Sequence, residues 1–433
     1  MSEFDKVIGY SSVKNELIRF CDVIRNSERY EKMGVSLPRG VMLYGEPGIG
    51  KTLMAKCFIA EAGCESFTIR KDKADGDFID HMRESFEKAR KADKAIVFLD
   101  DMDKFANEDE KHPNAEEYVA VQACIDDCKG YNVFVIATIN EKRCLPPSLM
   151  RAGRFDKIID MAMPGTKDTM ALVEYFLRNK RLADDLDPNE VGRLLTGHSV
   201  AEIEMVLNDA GINAGFETRS EICRDDILKA IVRMVMEAPG IDKYEENSDD
   251  IEAILVHELG HVVTAEVQSP GSVDIVSVEP HGGRVGGLIS YRTDNCNMTK
   301  ETLEKKVVRV LGGRAAIEII YGVPDMGAGD DLRQASRMLY RAITDEAIMG
   351  FEALDCLGGY GDENRDIQDR YVARELENCY QKAKKIIAEH RDLLDALADV
   401  LMKEKTITFK TIRQVIGAVG LEPTHPCKRT KIT

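Results

Sequence analysis

Two short runs in this 433-residue chain hold residue types whose spacing can do chemistry. The first is His257-Glu258-Leu-Gly-His261. Two imidazoles at i and i+4 of a helix share one face, a turn apart, so both can reach a single Zn²⁺. Glu258, adjacent but not a ligand, is placed to take a proton from an attacking water. Apolar residues at Ile251, Ile254, Leu255, Leu259, Val262 and Val263 recur at helical spacing and predict a largely buried helix that starts near Ser248 or Asp249. A catalytic zinc takes a third protein ligand and keeps one position open. His281, Glu318, Asp330 and Asp331 lie downstream as candidates, and spacing does not choose among them. Asp331 follows the turn Gly327-Ala-Gly329 at the start of a predicted helix over 330–349, where a carboxylate is favoured, whether as ligand or as simple cap.

The second run is Gly45-Glu46-Pro47-Gly48-Ile49-Gly50-Lys51-Thr52, continued by Leu53. It fits G-x-x-x-x-G-K-[ST], with a predicted strand before it and a helix after it. Its backbone N–H groups can curl around the phosphates of ATP, Lys51 can reach the β- and γ-phosphates, and the Thr52 hydroxyl can ligate Mg²⁺. The apolar run from Ala95 ends in Asp100 and Asp101, acids suited to holding the Mg²⁺ and orienting the attacking water, respectively. The next apolar run delivers Asn140 to the same edge as a γ-phosphate sensor. Arg151 and Arg154, three apart beside a glycine, suit an arginine finger reaching a neighbouring subunit, although such arginines commonly form surface ion pairs.

The elements that must position these residues follow from the apolar pattern. Short buried strands at Val41–Tyr44, Ala95–Leu99 and 133–138 alternate with helical stretches such as Phe78–Lys91 and 116–129, which predicts a doubly wound α/β domain over 1–165. A wholly helical subdomain is expected over 166–237, and the Pro-, Gly- and acid-rich stretch 238–250 reads as a linker. A mainly α-helical metallopeptidase domain is expected over 251–420, with a tail at 421–433. Extended pieces at 273–279 and 286–291 interrupt its helices.

Charge and cysteine usage narrow the partners and the setting. A formal net charge of −17 argues against general binding to nucleic acid or anionic membranes, which reward clustered Lys and Arg. The 11 cysteines are scattered without a CxxC pair, as expected of reduced thiols in a cytoplasm. No signal-peptide pattern opens the chain and no apolar run approaches about 18 residues, so no membrane span is expected.

With these pieces placed, the chain resembles the FtsH family of AAA+ zinc proteases over most of its length. The likeness runs, in order and spacing, through Gly45–Thr52, Arg151-Ala-Gly-Arg-Phe-Asp156, Gly197-His-Ser-Val-Ala-Glu202, His257–His261, Leu311-Gly-Gly-Arg-Ala-Ala-Ile-Glu-Ile-Ile-Tyr-Gly322 and Gly327-Ala-Gly-Asp-Asp331. The resemblance implies an AAA+ P-loop domain with a small helical lid, then a zinc metallopeptidase domain. It implies a hexameric ring, a homo-oligomer, with ATP sites between subunits and Arg151 and Arg154 acting in trans. It also implies Asp331 as third zinc ligand and Glu318 behind it, with Ile8 and Gly9 at the adenine pocket. Gly197 and Ala201 would close over the nucleotide, and the segment around Gly287 would pair with extended substrate. This chain departs from the family in three places. Residue 3 is already motor sequence where the family has membrane-spanning helices, so membrane substrates are less expected or an anchor has been removed. Asp101 stands for the usual Glu, and the Phe-Val-Gly pore loop is not recognisable before Phe78. The expected function is ATP-dependent zinc endopeptidase acting on unfolded polypeptide. The alternatives are a zinc peptidase gated by a slow nucleotide ring, and an AAA+ remodelling ATPase without proteolysis.

Overall fold

The computed structural model describes residues 2–35, 37–71, 77–106, 115–151, 153–236, 248–279, 287–292, 298–323, 328–348, 350 and 362–420. His281, Gly286, most of the predicted linker, most of the altered loop before Phe78 and the tail lie outside them. The chain falls into two compact units, Met1–Ile227 and Leu228–Thr433.

The first unit opens with α1 (Ser11–Arg25) and α2 (Ser27–Glu31), followed by β1 (Gly40–Tyr44), α3 (Lys51–Ala62), β2 (Glu65–Ile69), α4 (Phe78–Lys91), β3 (Ala95–Leu99), α5 (Ala115–Asp126), β4 (Val133–Ile139) and β5 (Lys157–Asp160). The strands form one parallel sheet in the order β2-β3-β4-β1-β5. Strands β3 and β4 are buried along their whole length, which is why they read as unbroken apolar runs. Successive residues feed opposite faces. Val97, Leu99, Val135 and Ala137 pack with Met82 and Phe86 of α4 and Val121 of α5, whereas Ile96, Phe98, Phe134 and Ile136 pack with Leu17 of α1 and Phe58 of α3. The edge strands β2 and β5 escape sequence reading because their exposed positions break the apolar run. Phe78 is buried against Phe105, ring centroids 5.1 Å apart, so it packs in the core of this unit.

Four helices follow: α6 (Thr166–Leu177), α7 (Pro188–Leu194), α8 (Val200–Phe216) and α9 (Arg224–Met236), the last crossing from one unit into the other. Ser199 and Glu202 form a capping box that starts α8. The turn into α9 is tied by Asp226, which is fully buried and receives two Arg219 hydrogen bonds of 2.6 Å and one from the Cys223 N–H at 2.9 Å.

The second unit contains α10 (Ser248–Gln268), β6 (Val273–Ser277), β7 (Leu288–Tyr291), α11 (Lys300–Val310), α12 (Gly312–Tyr321), α13 (Gly329–Thr344), α14 (Asp362–Glu389), α15 (Arg391–Glu404), β8 (Thr406–Thr408) and α16 (Phe409–Val419). The strands make a small antiparallel sheet, β7-β6-β8. α14 and α15 are separated at His390, whose backbone leaves the helical region at φ −121°. Its core is built around α10, with Leu255, Leu259, Val262 and Val263 fully or nearly fully buried. The tightest approach is between α10 and α12. A methyl group on Gly260 would sit 2.3 Å from the Gly312 carbonyl oxygen, and one on Gly312 would sit 2.5 Å from the Gly260 oxygen. Two facing glycines therefore allow a backbone contact that no larger residue permits. Among the described residues, no helix is long and apolar enough to cross a membrane.

Two outcomes test these contacts. Gly260→Ala should cost about 1–3 kcal/mol through overpacking, despite the better helix propensity of alanine. Gly417→Ala in α16, where nothing lies within 4 Å, should be neutral or stabilising; denaturant unfolding of both variants compares them. Burial alone would raise the Asp226 carboxyl, but Arg219 and Cys223 bring it down to about 2. Its folded pKa lies below the unfolded value of about 3.9, so its stabilisation is present above that value and is lost as pH falls toward about 2. The difference in Tm between wild type and Asp226→Asn should therefore shrink over that interval.

Candidate functional site

In the second unit α10 carries His257 and His261 one turn apart, and their Nε2 atoms lie 3.1 Å from each other. The first turn of α13 brings Asp331 Oδ2 to 3.1 Å from His257 Nε2 and 3.2 Å from His261 Nε2. The three ligand atoms all fall within 4.8 Å of one another. Asp331 Oδ2 is buried and, among the described residues, makes no well-directed hydrogen bond. Two imidazole nitrogens and one carboxylate oxygen converging on a common focus, with that oxygen unsatisfied, fit a zinc ion with a position left open. His261 is oriented from behind. Its Nδ1–H donates to the Arg309 carbonyl at the end of α11 over 2.8 Å, which leaves Nε2 unprotonated for a metal.

Backbone contacts set the shape around these ligands. Gly313 of α12 lies against both imidazoles, and a methyl there would be 2.6 Å from His261 Nε2. Gly287, just before β7, lies over Glu258, where a methyl would be 2.0 Å from Glu258 Cγ. Burial raises the Glu258 carboxyl above its ordinary range, against the pull of the two imidazoles. For Asp331, burial alone would act upward, but contact with His257 and His261 holds it well below the usual carboxylate range. The same contact raises His261 against the downward pull of burial.

The other downstream candidates point elsewhere. Glu318 accepts from the Tyr380 hydroxyl and from Lys384 at 3.3 Å, both on α14. Asp330 is exposed and ion-paired with Arg333. Among the described residues, Asp331 alone joins the two histidines.

In the first unit the strand tips gather the residues expected to bind nucleotide. Lys51 is buried, and its ammonium donates to the carbonyls of Gly45 and Glu46, 2.7 Å each. Burial lowers its pKa. The hydroxyls of Thr52 and Thr138 both donate to Asp100 Oδ1 at 2.9 Å, so the acid at the end of β3 is held between the loop and β4. Asp101 takes the left-handed conformation, φ 51°, and its carboxylate is ion-paired with Lys104 at 2.7 Å. The Asn140 N–H donates to Asp103 at 3.1 Å. Gly48 accepts from the Ala201 N–H at 3.0 Å, so the helical subdomain touches the loop, and Gly197 lies just before the same helix. Glu46, Pro47 and Leu53 are exposed and Ile49 is buried. Ile8 and Gly9 lie between the first turn of the chain and α1.

The arginine pair divides. Arg154 is engaged by its own chain, with bonds of 3.2 and 2.7 Å to Asp126 and 2.5 Å to the Ser148 carbonyl. Arg151 is exposed. Sequence reading missed Asp103 and Thr138. A hydroxyl in an otherwise apolar central strand was a signal for Thr138, and a third acid two residues after Asp101 was one for Asp103.

Residues 41–163 match the family described as ATPase family associated with various cellular activities (AAA), and residues 246–415 match peptidase family M41. Curated relatives have both parts in one chain. The chain is 27% identical to ATP-dependent zinc metalloprotease FtsH 2 of Phytoplasma mali (strain AT), over 97% of this chain and 63% of that protein. It is 28% identical to FtsH 2 of Thermoanaerobacter sp. (strain X514), over 94% of this chain and 81% of the relative. It is 30% identical to FtsH of Lactococcus lactis subsp. lactis (strain IL1403), over 94% of this chain and 63% of the relative. The chain thus spans less than two thirds of the Phytoplasma and Lactococcus proteins.

The purified protein should bind one zinc per chain, and His257→Ala or Asp331→Ala should reduce bound metal to background in elemental analysis. Gly313→Ala, which pushes a methyl into both imidazoles, should weaken zinc affinity at least about 10-fold in chelator competition.

Proposed function

Because this chain belongs to the FtsH family of AAA+ zinc metalloproteases, we propose that it is an ATP-dependent zinc endopeptidase that degrades unfolded or soluble polypeptides. The observation that carries the proposal is the meeting of His257, His261 and Asp331 at one focus, beside the buried carboxylate of Glu258. Zinc held by these three residues would supply Lewis acidity for the scissile carbonyl and for the charge that develops on it. Glu258 takes a proton from the attacking water and passes it to the departing amine. Gly287 packs its own backbone against Glu258, just before β7, along which an extended substrate would pair.

In the motor half, Gly45–Leu53 cradles ATP, and Lys51 leaves the Gly45 and Glu46 carbonyls for the phosphates. Thr52 and Asp100, already sharing a hydrogen bond, hold Mg²⁺. Asn140 senses the γ-phosphate, Ile8 and Gly9 flank the base, and Gly197 and Ala201 close the site from the lid. The functional unit is a ring of six copies. Exposed Arg151 is the arm that reaches the neighbouring site, while Arg154, held by Asp126, sets the loop that presents it. The charge of −17 favours no nucleic-acid partner, and free thiols such as Cys21, Cys57, Cys124 and Cys379 suit a reducing cytoplasm.

One observation favours the slower, gating form of the motor: Asp101, one methylene shorter than a glutamate, is ion-paired with Lys104.

Hydrolysis of ATP, of an unfolded protein and of a short peptide separates these readings. Glu258→Gln should lower both cleavage rates at least about 100-fold without changing bound zinc. Lys51→Ala should abolish cleavage of the unfolded protein and spare the peptide. Protein cleavage untouched by Lys51→Ala points to the gating form, and cleavage untouched by Glu258→Gln removes the protease reading.

A further inference from the structure

The strand-end acid assigned to orient water is Asp101, and its carboxylate is held by Lys104 at 2.7 Å. Two residues on, Asp103 is anchored differently. Its Oδ2 accepts the backbone N–H of Asn140 at 3.1 Å and of Glu141 at 3.2 Å. Its Oδ1 is buried and, among the described residues, has no hydrogen-bond partner. A buried carboxylate oxygen left unsatisfied is costly, and it calls for a donor that arrives with a ligand or water.

The place of Asp103 in the sheet says which ligand. Asn140 follows the last residue of β4, and β4 lies between β3, which ends at Asp100, and β1, which ends at the phosphate loop. Neighbouring strands are about 4.8 Å apart, so a carboxylate fixed at the β4 tip lies at the same sheet edge as Asp100 and the phosphate loop. The Lys51 ammonium lies in the field of the Asp101 and Asp103 carboxylates.

We propose that Asp103 is the water-orienting carboxylate of the ATP site, with Oδ2 fixing its position and Oδ1 accepting a hydrogen bond from the attacking water. The water oxygen bonds to the γ-phosphorus as the bridging bond to the β-phosphate breaks. The electron pair leaves on ADP, and the water proton ends on the released phosphate. The same residue holds Asn140 by its backbone, so sensing and water placement share one anchor. This assignment rests on the ATP-hydrolysing reading of the motor.

The test uses the full chain. Asp103→Asn keeps one oxygen for the Asn140 and Glu141 N–H groups and replaces the free acceptor with a donor. Steady-state ATPase rate, Mg-ATP affinity by titration and Tm are measured for wild type, Asp103→Asn and Asp101→Asn. The expected result is an ATPase kcat lowered at least about 10-fold in Asp103→Asn, with affinity and Tm unchanged, and no more than about 3-fold in Asp101→Asn. Wild-type turnover in Asp103→Asn overturns the assignment, as does a rate loss accompanied by an equal loss of affinity or a fall in Tm. A larger loss in Asp101→Asn returns the role to Asp101. Wild-type protein that binds Mg-ATP without turnover overturns the motor reading together with this assignment.

Discussion

The proposed zinc site depends on how closely two helix backbones approach. α10 presents His257, Glu258 and His261, but an isolated helix leaves these side chains in water with no third ligand. The contact between Gly260 and Gly312 draws α12 onto α10 at backbone distance. Gly313, one residue further, then closes against both imidazoles. The end of α11 lies immediately before α12 in sequence, and this places the Arg309 carbonyl behind His261. A methyl at either crossing glycine would meet the facing carbonyl oxygen at 2.3–2.5 Å and push the helices apart. The ring orientation that aims Nε2 at Asp331 would be lost with it.

The motor unit solves a similar problem with a strand. β4 runs through the centre of the sheet, buried on both faces, and cannot shift without moving its partners. Its one hydroxyl, Thr138, joins Asp100 of β3, which in turn joins Thr52 of the phosphate loop. Asp103 ties the end of the same strand to the turn after β3. Three strand tips are thereby held in one register, and the charged groups of the crevice are positioned before any nucleotide arrives. Preorganised groups of this kind avoid reorganisation during reaction.

Both units place charged groups where burial and neighbours change their protonation. Asp331 stays ionised through its imidazole contacts, and Asp226 through Arg219. Glu258 is left with burial as its dominant influence and moves the other way. Acids on short spans of one chain thus take different roles because their surroundings differ.

The sequence by itself determined which residues can carry chemistry locally. Histidines at i and i+4, and a glycine-rich turn between strand and helix, are properties of a few consecutive residues, so periodicity suffices to find them. The central strands were legible for the same reason, because burial on both faces leaves an unbroken apolar run. Only the tertiary structure decided what comes from far along the chain. It brought Asp331 to the histidines and sent Glu318 to Tyr380 and Lys384. It bound Arg154 to Asp126 while leaving Arg151 exposed, and it hung Asp103 on the tip of β4. Each of these choices depends on helix crossing and strand order, which set distances between residues that no local spacing encodes.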